Sequence, residues 1–209
     1  DEFQRHAMNW NVERGALDRI DEPAWQTCTC IGDWHYNRAR YEQKSYMPAA
    51  KVIQRLCDVV SKNGNLLLSI PMRGDGTIDG EEDKILAGIT RWMQRNGEAA
   101  IFGSRPWRIY GEGPTKVGGA MFNEGKVEFT AEDVRFTTRG RALYAALLAW
   151  PEKPVMHTID TKMTSRASTV SALKTGVLTA SRSVCSRLNA GSATRTAGMH
   201  TAARTKPWE

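Results

Sequence analysis

What the 209 residues lack narrows their function first. The longest apolar run, residues 142–150, falls far short of the ~20 residues a membrane-spanning helix needs, so no transmembrane segment is expected. Residues 1–10 are polar and mixed in charge, unlike a secretory signal, and the first residue is Asp1 rather than Met. The expectation is an internal piece of a longer protein, which leaves the compartment unknown. Cysteine is scarce: Cys28, Cys30, Cys57 and Cys185 show no CxxC spacing, and no second pair or His pair completes four zinc ligands. They read as small buried thiols, and no metal site is expected. A one-sided charge is also missing from most of the chain. Residues 155–209 hold eight basic and two acidic residues, which accounts for the whole net charge of +6; residues 1–154 balance at 21 of each sign.

That last segment differs in texture too. Ser, Thr and Ala make up 25 of its 55 residues, Phe and Tyr are absent, and no period of 2 or 3.6 is sustained. Such a stretch cannot bury enough apolar surface to offset chain entropy. A disordered linker, a basic nucleic-acid arm and out-of-frame translation all fit. The sudden excess of Ala, Arg, Ser and Thr favours the last. Nucleic-acid binding by a defined module also needs a recognisable motif or stacking aromatics near the charge. The chain's aromatics gather instead at 25–46, where charge is mixed, so no nucleic-acid partner is expected.

The preceding residues alternate between strand and helix signals. Residues 25–31 alternate as a short strand. Residues 32–46 have no apolar period and read as a long loop. Residues 48–62 form a helix, with Val52, Ile53, Leu56, Val59 and Val60 on one face and Asn63-Gly64 ending it. The run NLLLSI at 65–70 fits a strand buried on both faces, as in a parallel sheet. Asp79 and Glu82 have capping-box spacing before a second helix to about Arg95, which Asn96-Gly97 should stop. These are two βα units of an α/β protein. From about Ile101, Pro and Gly punctuate the chain. Short runs at 126–129, 134–137 and 143–150 then suggest antiparallel strands of another domain.

Two motifs carry little chemistry. The turn at 75–82 resembles half of an EF-hand loop, but Pro71 and Arg73 would stand where carboxylates are needed, so it reads as a tight turn plus a helix cap. The tripeptide RGD at 73–75 lies in the same turn and carries no weight. The loop at 32–46 is the better site. A loop between a strand and a helix holds the active site in a (β/α) barrel. This one offers Trp34 and Tyr36 for stacking, His35, Arg38 and Arg40 for polar contacts, and Glu42 as an acid whose pKa would rise against aromatic surface. The same residues could equally serve only to hold the loop down.

Several runs, taken in order, resemble one enzyme family. They are WQTCTCIGDWHYN at 25–37, DVVSKNGNLLL at 58–68, GDGTI at 74–78, NGEA at 96–99, RPW at 105–107 and GEGPT at 111–115. Together they resemble the glycoside hydrolase family 29 α-L-fucosidases, from about Asn11 to Glu152. The resemblance implies an α/β fold: the C-terminal portion of a (β/α)8-like barrel over 1–101, then the first strands of a β-sandwich over 102–154, then the low-complexity tail. It implies retaining hydrolysis of α-L-fucosides in glycans, by an Asp nucleophile and a Glu acid/base, with no cofactor and no membrane partner. Family members are commonly secreted, periplasmic or lysosomal. No match to the nucleophile's motif stands in this sequence, so the 209 residues alone are expected to be inactive; the alternative is a non-catalytic carbohydrate-binding fragment or a degenerate homologue. Many members have Trp-Glu where this chain has Trp25-Gln26, and a glutamine cannot release a proton. Glu42 is then the candidate acid/base, drawn from the following loop. Arg14, in VERG, resembles an arginine that contacts the fucose. Trp25 and His35 would be further sugar or aglycone contacts.

Overall fold

The computed structural model describes residues 10–119, 121–140 and 142–150, together with four strands beyond them. Two sheets pack on either side of a helical layer.

The first sheet is parallel, in the order β1 (Trp10–Asn11), β2 (Trp25–Cys30), β3 (Gly64–Ser69). Trp10 pairs with Trp25, and Trp25 with Gly64. Parallel neighbours need a long crossover. Between β2 and β3 it contains α1 (Arg38–Glu42) and α2 (Ala49–Ser61). After β3 comes α3 (Gly80–Asn96). Val52 and Ile53 of α2 are buried as their spacing predicts, and Val52 packs on Ile31 with Leu66 and Leu68 of β3 beside it. The left-handed residue that ends α2 is Asn63, at φ 69°. The first turn of α3 carries the full capping box: Asp79 accepts from the amides of Glu81 and Glu82, and Glu82 accepts from the amide of Asp79.

Three local expectations need correction, and a fourth needs refining. The 32–46 segment is not all loop, since it holds α1. Five residues with none buried leave no periodicity to read. The stop at Asn96-Gly97 is not a left-handed cap: α3 does end at Asn96, but Gly97 keeps right-handed angles (φ −60°) and a π-helical segment, Gly97–Ile101, follows before Gly103 turns left-handed at φ 67°. Residues 126–129 form no strand. Val127 and Phe129 face a core cluster while Glu128 is exposed, so their alternation comes from a loop lying flat on the core. Finally, β3 is not buried on both faces, because Leu67 is 56% exposed.

The second sheet begins with β4 (Arg105–Glu112), β5 (Val134–Arg139) and β6 (Ala142–Leu147), successive neighbours being antiparallel. The sequence disguised β4 with Pro106 and Gly111. Pro is tolerated because β4 lies at the sheet's edge, and the register shifts between these two residues. Val134, Phe136, Leu143, Ala145 and Leu147 form the core of this sheet, with Trp107 edge-on to Phe136.

The helical layer joins the sheets. Ile53, Cys57, Trp92 and Ala100 pack against Ala146 of β6 and Leu148 just after it. At the same junction Asp58 of α2 accepts from Lys62 Nζ (2.7 Å) and from Arg135 Nε of β5 (2.5 Å), all three being nearly or fully buried. Both cations also lie over the Tyr110 ring.

Beyond Trp150 the structure describes β7 (Met156–Asp160) paired with β10 (Thr196–His200), and β8 (Thr169–Lys174) paired with β6 and with β9 (Leu178–Thr179). The other residues of the tail, and with them most of the expectation of disorder, lie outside the described residues. Among the described residues, no helix is long and apolar enough to cross a membrane.

Candidate functional site

The site is built around β2, whose residues alternate between two faces. Trp25, Thr27 and Thr29 point to the helix-covered face and are buried. Gln26 and Cys28 point the other way and stay half-exposed, beside Asn11 of β1 and the exposed Asn65 and Leu67 of β3. On this open face Gln26 Nε2 donates to Asn11 Oδ1 (3.3 Å), and Asn11 Nδ2 donates to Cys28 Sγ (3.3 Å).

The loop after β2 is well anchored. Tyr46 packs so closely on Gly32 that a Cβ there would meet its ring at 2.9 Å. The Tyr46 hydroxyl donates to Asp79 Oδ2 (2.7 Å); burial and this carboxylate push the phenol above its ordinary range. Asp33 accepts from Arg40 at 2.9 Å and from Asn37 at 2.8 Å. Its carboxyl lies below the usual range, held there by those two hydrogen bonds and by the nearby charges of Arg40 and Arg14. Asn37 also caps α1 through the amide of Ala39.

The four expected site residues do not all meet. Glu42 lies on α1 with its side chain 58% exposed, paired with Arg38 at 2.8 Å. The aromatic surface that was to surround it is therefore replaced by solvent and a cation. His35 is exposed on the same loop, next to Trp34, which is 41% exposed. Arg14 stands beyond β1, close enough to Glu124 and Asp33 for their carboxylate charges to act on it. Trp25 requires correction as a sugar contact. It has no exposed surface, packs with Val12, Leu17, Val59 and Val117, and donates its Nε1 proton to the Lys62 carbonyl (2.9 Å). A ring with both faces in the core cannot stack on a ligand.

One participant escaped the sequence reading. Glu124, from the stretch between β4 and β5, accepts from Arg14 Nε (2.6 Å), from Thr29 Oγ1 (2.5 Å) and from Arg55 Nη1. The main chain carries it there. The Phe122 amide donates to the Glu13 carbonyl (2.9 Å) and the Glu124 amide to the Arg14 carbonyl (3.1 Å). Val117, Val127 and Phe129 fill the space over the helix-free connection between β1 and β2. Only spatial contact reveals Glu124, which is 110 residues from Arg14 and lies in Gly-rich chain. A cavity of about 40 Å³ borders it, lined by Thr27, Thr29, Arg55, Asp58 and Phe129 among others. Among the described residues, no group of three or more His, Cys, Asp or Glu could hold a metal ion.

Comparison with known proteins identifies the family. The family model described as alpha-L-fucosidase matches residues 2–98. Tissue α-L-fucosidase of Rattus norvegicus is 30% identical over 164 residues, covering 77% of this chain and 32% of the relative. The Homo sapiens tissue enzyme is 30% identical over 156 residues, covering 74% and 29%. Among solved structures, Thermotoga maritima α-fucosidase in complex with fucose superposes with a TM-score of 0.52 at 25% identity, over 66% of this chain and 29% of that one. Another α-L-fucosidase reaches 0.56 at 24% identity, which speaks for the fold alone. The chain thus spans about a third of the length of the curated relatives it matches. It belongs to the α-L-fucosidase family.

Proposed function

We propose that this chain is the C-terminal part of a fucosidase catalytic barrel, over 1–101, joined to the start of a β-sandwich, over 102–154, with 155–209 a basic low-complexity tail. The activity it serves is the release of terminal α-L-fucose from glycans with retention of configuration. The open face of the first sheet carries this reading. Parallel strands are normally covered on both faces, yet Gln26, Cys28, Asn65 and Leu67 lie exposed or half-exposed on one face here. Further strands curling over that face would close a barrel and bring their loops to the end of β2.

In this reading Arg14 and His35 bind the sugar, and Glu42 protonates the leaving oxygen once substrate displaces Arg38. A retaining hydrolase needs a second carboxyl about 5 Å from the first. That nucleophile comes from chain outside these residues, so the 209 residues alone hydrolyse nothing.

The test has two arms. The purified chain should release no nitrophenol from 4-nitrophenyl α-L-fucoside. Joined to an upstream stretch that supplies the nucleophile, it should become active, and Glu42→Gln should then lower turnover by about 10²–10⁴, with partial rescue by azide. Hydrolysis by the chain alone, or a Glu42→Gln protein of full activity, overturns the corresponding part.

A further inference from the structure

Arg14 is an exposed end of a short relay. Its Nε–H is bound to Glu124 Oε1 at 2.6 Å, and its backbone sits at φ 47°, a left-handed angle that few residues other than glycine adopt. The other carboxylate oxygen takes the Thr29 hydroxyl at 2.5 Å and the Arg55 guanidinium, and Arg55 Nη2 donates to the Glu124 carbonyl at 2.8 Å. Glu124 is therefore held from three directions, by a strand, a helix and its own main chain. Its side chain is 10% exposed, whereas that of Arg14 is 36% exposed. Among the described residues Arg14's terminal amino groups make no hydrogen bond, so the clamp engages the side of the guanidinium and leaves its planar fork available. A guanidinium fixed through Nε presents two parallel N–H donors to adjacent oxygens, a geometry suited to a vicinal diol.

We propose that Glu124 is a positioning residue, which fixes Arg14 so that its terminal N–H groups meet two neighbouring hydroxyls of the fucose. The proposal rests on the reading of Arg14 as a sugar contact. Its consequence is that the stretch between β4 and β5, remote in sequence from the strand ends that line the site, sets sugar affinity without touching sugar. Thr29 and Arg55 serve the same end by holding the carboxylate.

The test is L-fucose binding to the 209-residue chain, read by NMR with ¹⁵N-labelled arginine, alongside thermal unfolding. In the unaltered chain fucose should shift the terminal nitrogens of Arg14 more than its Nε. Glu124→Gln should weaken fucose binding about 5- to 10-fold, as loss of one charge-assisted hydrogen bond would, and should move the Arg14 Nε–H signal while the unfolding midpoint stays within a few degrees. Thr29→Val removes only the hydroxyl on Oε2 and should weaken binding about 2- to 3-fold. It decides the matter if Glu124→Gln loosens the fold, because a merely structural role would leave fucose affinity unmoved. If Arg14→Ala weakens binding and neither Glu124→Gln nor Thr29→Val does, the positioning role is overturned and the sugar-contact reading stands. If Arg14→Ala has no effect, or the unaltered chain binds no fucose, both fall.

Discussion

The two faces of β2 are made from alternate residues of one six-residue strand, and they meet opposite surroundings. On the helix-covered face every polar group is spoken for: the Trp25 indole bonds the Lys62 carbonyl, Thr27 Oγ1 the Gly15 carbonyl at 2.8 Å, and Thr29 Oγ1 the Glu124 carboxylate. Beyond it lies the buried Asp58–Lys62–Arg135 cluster, which ties the helical layer to the second sheet. On the other face Gln26 and Cys28 are half-exposed and Leu67 lies in the open. One face is a finished interior, so its residues report on stability. The other is open to solvent, and stability should be nearly indifferent to it.

The largest effect should come from Asp58→Ala. It strands two buried cations, a change that typically costs about 3–5 kcal/mol, and denaturant unfolding should show it directly. A loss under about 1 kcal/mol would mean that water reaches the junction and that the contrast between the faces is overstated. Trp25→Phe shrinks a fully buried ring and leaves the Lys62 carbonyl only the long bond from the Asp21 amide (3.4 Å), so about 1–3 kcal/mol should be lost.

Asp79→Ala should follow, at about 0.5–2 kcal/mol for the lost helix cap. Its pH dependence sharpens the point. Burial acts to raise the Asp79 carboxyl, but hydrogen bonds from Glu82, Tyr46 and Glu81 hold it below the ordinary range. Asp133 is depressed likewise: burial opposes, while bonds from Thr130 and Thr115 prevail. A depressed folded value stabilises the protein above the unfolded value of about 3.9. That stability should fade as pH falls from about 4 through the folded values, and the slope should shrink in Asp79→Ala.

At the small end stands the open face. Leu67→Asn should change stability by less than about 0.5 kcal/mol in the 209-residue chain. A cost above about 2 kcal/mol would show that something already covers that face. Thiol labelling at pH 8 gives an independent view. Cys28 should react readily, whereas Cys30, raised by burial, and Cys57, pushed by burial up to about 12, should be protected. Peptide mapping distinguishes the sites.

The sequence made the βα repeat legible because its cues are local. The apolar face of α2, the capping box at Asp79 and Glu82 and the run after Asn63-Gly64 each declare themselves within a few residues. The faces of those elements were harder. NLLLSI reads as buried throughout because periodicity records side-chain type and says nothing of what lies opposite. Strand β4 hid behind Pro106 and Gly111, which an edge position tolerates. The family motifs drew attention to Trp25 and Arg14 alike, yet Trp25 lies on the inward face of β2 with no exposed surface while Arg14, in the connection after β1, keeps a side chain that is 36% exposed, a difference that motif matching does not encode. Glu124 was invisible for a different reason: its partners are Arg14, Thr29 and Arg55, none of them near in sequence.

The most direct test of the account is a titration of the ¹⁵N-labelled chain with L-fucose. The account predicts shifts gathered at the end of β2, in Arg14, Asp33 and His35, with Thr137 and Val59 on the packed side unmoved. Shifts centred on the packed side, or none at millimolar fucose, would contradict it.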